Sequence, residues 1–181
     1  RIEKDNGKHW MVDPEGNAFI GISLNSVRKG SSPQHERVFA EKYGTDAKWM
    51  AGVKQDMKTA GFNMLGSWSD TAAIRGYNQS NTKDGIVYTT QLSLLSGFVQ
   101  QQKKNDPSKK EWPTLAFLFD PGFENYCRTK CEANKNAAND PWLAGHFSDN
   151  ELPFQNNLIK EFISFNDPGS AAFHLATNWV Q

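Results

Sequence analysis

The sequence predicts an α/β fold built on a parallel sheet. Short apolar runs suited to buried strands alternate with longer segments in which apolar residues recur at helical spacing, and this alternation is typical of a parallel sheet. Polar or aromatic residues follow the strands at their carboxyl ends, the edge at which parallel α/β barrels carry out their chemistry. Four such strands form half of a (β/α)8 barrel, so we expect residues 18–181 to be its N-terminal half, strands one to four.

A β-hairpin is predicted before the barrel strands, in residues 1–17. The apolar triplets Trp10–Val12 and Ala18–Ile20 flank the segment Asp13–Asn17, whose proline and glycine suit a tight turn. The second arm continues as a mostly apolar run from Ala18 to Val27. Because strands buried on both faces have this composition, we expect the run to be one continuous strand, the first of the barrel.

The second strand follows a well-marked helix. Thr45 is the predicted N-cap, apolar residues recur at helical spacing over residues 49–60, and Gly61 stands where a C-terminal stop belongs. The strand itself is Phe62–Gly66. A shorter helix is expected earlier, at about Gln34–Tyr43.

Two more strands are predicted in the second half of the chain. The third covers about Ile86–Leu95, after a loop rich in glycine, asparagine and serine, and the lysine-rich segment Gln100–Glu111 is expected to be a solvated loop. Asp120–Pro121 is a typical helix start. The fourth strand is Leu143–Phe147. Two helices are predicted after it, Leu158–Phe165 and Ala171–Val180.

The charge balance limits the classes of partner. Lys and Arg total 20, as do Asp and Glu, so the chain lacks the basic excess typical of nucleic-acid or anionic-membrane binding. No apolar run is long enough to cross a bilayer. Neither a zinc-protease motif, a phosphate-binding loop nor a calcium-binding loop occurs. We therefore expect no catalytic metal and no cofactor.

The most informative motif is Gly145–Pro153. An apolar run ends abruptly in Asp149, Asn150 and Glu151, and a proline follows. This order predicts a buried strand that delivers three polar groups at its carboxyl end. An Asn–Glu pair there suits glycoside cleavage, because Glu can protonate the leaving oxygen while Asn holds a sugar hydroxyl. A helix cap or a surface turn is the alternative interpretation of the triplet.

With these motifs placed, the chain resembles the retaining β-glycosidases of the (β/α)8 clan whose acid/base is the Glu of an Asn–Glu pair ending strand four. More narrowly, it is similar to the β-agarases of glycoside hydrolase family 50. The resembling segments, in chain order, are Trp10–Gly16, Gly61–Asp70, Gly145–Pro153 and the turn Asp167–Gly169. The resemblance implies a polysaccharide substrate, best an agarose-type galactan, and a secreted or periplasmic protein, because such polymers are met outside the cytoplasm.

The resemblance also implies roles for the residues of strand four. Glu151 would be the acid/base, and Asn150 would donate a hydrogen bond to the sugar 2-hydroxyl. Asp149 is a candidate substrate contact, although a structural role is favoured for it. A surface salt bridge and a strand-end cap are the alternatives for Glu151 and Asn150.

Three further residues follow strands one and two and are candidate substrate contacts. Trp68 could stack on a sugar ring, or it could cover the barrel core. Asn25 and Asp70 lie at the same predicted rim, where loop capping is their alternative role.

The chain departs from the clan pattern in two respects. A barrel usually takes ~250 residues, and the sequence ends before the strand that carries the clan's nucleophilic Glu. Residues 1–181 are therefore expected to be a partial catalytic domain that is inactive alone, with the remaining half of the barrel as its partner. In addition, Ser67–Asp70 stands where the clan often has an arginine.

Two other functions stay open. A non-catalytic carbohydrate-binding barrel protein would keep the rim residues without the chemistry, and it would bind oligosaccharides without releasing reducing ends. A barrel enzyme with a non-carbohydrate substrate would bind no sugar, and Asn150→Ala would leave its activity unchanged.

Overall fold

The computed structural model of the protein describes residues 1–13 and 15–181. It has the predicted α/β architecture, with two sheets and seven α-helices in the described residues. The chain separates into two compact units. The first unit comprises Arg1–Thr90 and Asn139–His146, and the second comprises Gln91–Ala138 and Phe147–Gln181.

The elements have the following bounds. The strands are β1 (Ile2–Asp5), β2 (Lys8–Val12), β3 (Ala18–Phe19), β4 (Ser23–Leu24), β5 (Met64–Leu65), β6 (Val87–Gln91) and β7 (Leu143–Phe147). The α-helices are α1 (Pro33–Lys42), α2 (Asp46–Ala60), α3 (Thr71–Ser80), α4 (Leu94–Asn105), α5 (Gly122–Ala133), α6 (Leu158–Ser164) and α7 (Ala171–Val180). Short 3-10 segments occur at Pro107–Lys109, Thr114–Phe119 and Lys135–Asn139. No helix in the described part of the chain has the length and apolar character to cross a membrane.

The strands form an antiparallel sheet, β1-β2-β3, and a four-stranded sheet, β4-β5-β6-β7. The β4–β5 and β5–β6 pairs are parallel. Between β6 and β7, the Tyr88 N–H donates to the Trp142 carbonyl and the Leu92 N–H donates to the Phe147 carbonyl. Since both partners advance together, this pair is parallel as well. The four strands predicted from the sequence are thus neighbours in chain order.

The predicted hairpin is confirmed. β2 pairs with β3 in the register Val12↔Ala18, and the Asp13 carboxylate accepts a hydrogen bond from the Asn17 N–H at 2.7 Å. Pro14, which belongs to the predicted turn, lies outside the described residues. β1 was not predicted, because its sequence, Ile-Glu-Lys-Asp, is largely polar and all four residues are exposed.

The prediction of one buried strand from Ala18 to Val27 is wrong. The run divides into β3 and β4, which belong to different sheets. Asn63 causes the break, because its amide accepts from the Ile22 N–H at 2.7 Å and donates to the Ile20 carbonyl at 2.9 Å. A side chain therefore satisfies backbone groups that a neighbouring strand would otherwise pair. Ile20 and Ile22 remain 68% and 52% exposed.

The helices predicted from the sequence are confirmed with small shifts in their bounds, whereas α3 and α4 were not predicted. In α2, the Thr45 hydroxyl accepts from the Lys48 N–H, and Gly61 ends the helix at φ 81°. The predicted loop before strand three is helix α3. The prediction of a strand up to Leu95 and a solvated loop over Gln100–Glu111 is also wrong, because α4 occupies residues 94–105.

Each unit has its own apolar core. The first consists of Trp49, Met50, Met57, Leu65, Ala73, Ile74, Ile86 and Tyr88. The second consists of Leu95, Phe98, Val99, Trp112, Leu115, Ala116, Phe117, Phe162, Ala172 and Ala176. In the first unit, the Tyr88 hydroxyl accepts from Arg75 at 2.8 Å and donates to Asp140 at 2.7 Å. This network fixes β6 to α3 and to the turn that leads into β7.

Candidate active site

The carboxyl end of each parallel strand is followed by one non-glycine residue in the left-handed backbone region. Ser26 follows β4 at φ 60°, Trp68 follows β5 at φ 61°, Ser93 follows β6 at φ 53° and Glu151 follows β7 at φ 45°. Residues other than glycine rarely adopt this backbone conformation, which costs about 1–3 kcal/mol and is concentrated at functional sites. The four strand ends are therefore locally strained.

In the first unit, hydrogen bonds join the loops that follow β4 and β5. The Ser26 N–H donates to the Ser67 carbonyl at 2.9 Å, and the Asp70 N–H donates to the Val27 carbonyl at 2.8 Å. The Val27 N–H donates to the Ser69 hydroxyl at 3.2 Å. The two loops thus form one continuous surface.

This surface carries the three site residues predicted after strands one and two. Trp68 is 44% exposed, so its ring is accessible. Asn25 lies against Gly66, where an added Cβ would be 1.8 Å from the Asn25 Oδ1. Asp70 caps α3, because its Oδ1 accepts from the Ala73 N–H at 3.0 Å. The amide of Asn25 can approach the second strand so closely only because position 66 is glycine.

Lys29 also supports this surface, and sequence reasoning missed it. Its ammonium group donates to both carboxylate oxygens of Asp46, at 2.7 and 2.9 Å, and lies 3.8 Å from the Asp70 carboxylate. It also lies over the rings of Phe39 and Trp49. The hydrogen bond with Asp46 raises the pKa of Lys29 above its usual value. No short motif signals this arrangement, because its partners come from three separate segments.

In the second unit, Asp149 caps α4. Its Oδ2 accepts from the Leu95 N–H at 2.8 Å, and its Oδ1 accepts from the N–H and the hydroxyl of Ser96, both at 3.0 Å. A carboxylate at a helix N-terminus is favourable both as a hydrogen-bond acceptor and as a charge near the positive end of the helix dipole. Asp149 therefore has a structural position.

Asn150 and Glu151 follow directly and are exposed. The segment that carries them is anchored on both sides: Asp149 is bound to α4, and Leu152 packs against the core of the second unit. These anchors hold Glu151 in its left-handed conformation. The carboxyl end of β7 thus presents an amide and a carboxylate side by side to solvent.

Gln91, at the carboxyl end of β6, is a second residue that sequence reasoning missed. Its Oε1 is buried and finds no hydrogen-bond partner in residues 1–13 and 15–181. A polar residue at the carboxyl end of a strand is a candidate site residue. Gln91 was not recognised as one, because the third strand was predicted to continue to Leu95.

The histidine within the motif, His146, is already engaged, because its Nδ1 shares a hydrogen bond with the Thr90 hydroxyl. In the part of the chain that the structure describes, no three His, Cys, Asp or Glu side chains cluster as metal ligands. The polar groups at the strand ends are carboxylates, amides and hydroxyls.

Comparisons with known proteins agree with the family resemblance of the sequence. The chain is 22% identical to Beta-agarase B of Vibrio sp. (strain JT0107) over an alignment of 250 positions, which covers 96% of this chain. Its fold matches the crystal structure of BpGH50 with a TM-score of 0.80 and 24% sequence identity, over 97% of this chain. The resemblance to the family 50 β-agarases is confirmed.

The match to these two proteins is partial in length. The chain spans 25% of Beta-agarase B and 40% of the BpGH50 chain. No family model matches the chain.

Proposed function

We propose that the chain is the N-terminal half of a (β/α)8 barrel, preceded by a hairpin, in a retaining glycoside hydrolase that cleaves an agarose-type galactan. The observation that carries the proposal is Glu151, which is exposed, lies next to Asn150 and is held at positive φ after the fourth parallel strand. The similarity to Beta-agarase B supports the substrate class.

In the proposed reaction, Glu151 donates its proton to the glycosidic oxygen as the bond to the leaving sugar breaks. It then acts as a base and removes a proton from the water that releases the second product. Asn150 donates a hydrogen bond to the sugar 2-hydroxyl beside the reacting carbon. Trp68 stacks on a sugar ring, and Asn25 and Asp70 face the substrate from the loops after β4 and β5.

A retaining reaction also needs a carboxylate nucleophile, which bonds to the sugar carbon as the leaving sugar departs and is displaced when water attacks that carbon. Its carboxyl lies roughly 5–5.5 Å from that of the acid/base. We place it in polypeptide outside residues 1–181, because the chain spans only 25% of Beta-agarase B and 40% of the BpGH50 chain. The same polypeptide would supply the remaining barrel strands. The 181-residue chain alone is then inactive, and the complete protein is secreted or periplasmic, where it meets its polymer.

The decisive variant is Glu151→Gln in the complete protein. Loss of the proton donor should lower kcat on agarose by at least ~10²-fold. The matched control is Glu124→Gln, which makes the same chemical change on α5, where the Glu124 side chain is 84% exposed and pairs with Arg128; its activity should equal that of the parent. Activity of Glu151→Gln within a few-fold of the parent contradicts the proposal. Oligosaccharide binding without release of reducing ends by the parent favours the non-catalytic sugar-binding protein.

A further inference from the structure

Gln91 lies on the face of β6 opposite Tyr88 and Thr90. These two residues are 0% and 9% exposed, and Tyr88 belongs to the core of the first unit. Because side chains alternate between the two faces of a strand, Thr89 and Gln91 share the other face. In a barrel whose helices cover the outside, this second face is the interior. Gln91 is its last residue at the carboxyl end.

Two buried polar oxygens on this face have no hydrogen-bond partner in residues 1–13 and 15–181, the Thr89 Oγ1 and the Gln91 Oε1. On the opposite face, by contrast, the Thr90 hydroxyl is bonded to His146. Buried polar groups are nearly always paired in native proteins, and an exception calls for an explanation. Thr89 lies two residues deeper along the strand, whereas the longer Gln91 side chain starts at the rim where substrate would bind.

Gln91 is also tied to the Asn150–Glu151 segment through the backbone. A series of hydrogen bonds joins residues 92–96 to residues 147–149. The Leu92 and Leu94 N–H groups donate to the carbonyls of residues 147 and 148. The N–H groups of residues 95 and 96 donate to the Asp149 carboxylate. Gln91 immediately precedes this paired stretch, and Asn150–Glu151 immediately follows it. All of these residues belong to the second unit.

We infer that Gln91 is a substrate-positioning residue whose amide binds a hydroxyl of the sugar unit held next to Glu151. Its Oε1 accepts a hydrogen bond from that hydroxyl, and its Nε2 donates to a neighbouring sugar oxygen. A neutral group that both donates and accepts suits the hydroxyls of an uncharged sugar. The inference rests on the proposed function, and it adds a sugar contact from the third strand.

The test uses Gln91→Met in the complete protein, because methionine keeps the length of the side chain and removes both amide groups. We expect kcat/KM on an agarose-derived tetrasaccharide to fall about 10- to 100-fold, with Tm equal to or above that of the parent. The matched control is Thr89→Val, which removes the other unpartnered oxygen and should leave kcat/KM unchanged. Should Gln91→Met not fold, Gln91→Glu serves as the second variant, with the same expected loss.

A purely structural role makes the opposite prediction. Tm would fall, while kcat/KM per folded molecule would stay at the parent value in both Gln91 variants, and this result overturns the inference. Glu151→Gln is assayed in parallel to separate the two proposals. If Glu151→Gln is inactive and Gln91→Met is fully active, only the role of Gln91 fails; if Glu151→Gln is active, the proposed function itself fails.

Discussion

At the scale of single residues, the left-handed conformation of Glu151 connects the structure with the proposed chemistry. A glutamate at φ 45° is strained, and the neighbouring residues hold it there: Asp149 is bound to the N-terminus of α4, and Leu152 is packed in a core. The contacts of these neighbours thus offset the strain of the conformation that positions the Glu151 carboxylate. Functional groups held in this way are expected to lower stability while they serve activity.

Glu151→Gly tests this relation directly. Glycine adopts positive φ without a steric penalty, so we expect the free energy of unfolding to rise by about 0.5–1 kcal/mol, while activity on agarose is lost with the carboxylate. Urea unfolding followed by tryptophan fluorescence measures the change.

Asn166→Gly is the matched control for Glu151→Gly. Asn166 is also left-handed, at φ 48°, but it lies between α6 and α7. Its substitution should stabilise the protein less, since asparagine tolerates this region, and should leave activity intact. A Glu151→Gly variant less stable than the parent would show that Glu151 is not strained.

At the scale of elements, the contacts of Asp149 explain one error of the sequence prediction. The N-terminus of α4 is capped by Asp149, which lies 54 residues away from Leu95 along the chain, and the local candidate, Ser93, makes no capping bond. A helix start defined by a distant side chain leaves no local signal. The helix start at Thr45 was predicted, because this residue caps its own helix through a side-chain oxygen.

Removing this cap is expected to weaken the second unit. Asp149→Ala breaks two hydrogen bonds to backbone N–H groups and one to the Ser96 hydroxyl, so the free energy of unfolding should fall by about 1–2 kcal/mol. Activity should fall as well, because the same side chain anchors Asn150 and Glu151. Asp149→Asn retains an oxygen acceptor and should recover more than half of both losses. Equal stability of the alanine variant and the parent, measured by urea denaturation, would contradict this role.

At the scale of the whole molecule, the strand order and the motif of strand four could be predicted because their signals are local in sequence. Leu143–Phe147 was predicted with its observed bounds, and Asn150–Glu151 follows the strand. The predicted burial of this strand is wrong, because its residues are exposed or half-buried. The break between β3 and β4 could not be predicted, because it depends on the Asn63 amide, 41 residues from Ile22. The proposed role of Gln91 could not be predicted for a related reason: whether a buried oxygen has a partner is decided by tertiary structure.

The edge of the parallel sheet gives the last prediction. Among the strands of residues 1–13 and 15–181, β4 pairs only with β5, and Ile20, Ile22 and Leu24 next to this edge are 68%, 52% and 38% exposed. An exposed apolar edge strand invites pairing with another chain, so the 181-residue chain by itself should self-associate at micromolar concentration. Ile22→Lys should shift it towards monomer in sedimentation velocity, because a charge at an edge opposes such pairing. Val38→Lys, at a 47% exposed position on α1, is the control and should change nothing. A parent chain that stays monomeric, or an equal effect of both substitutions, would mean that this edge is not where chains meet.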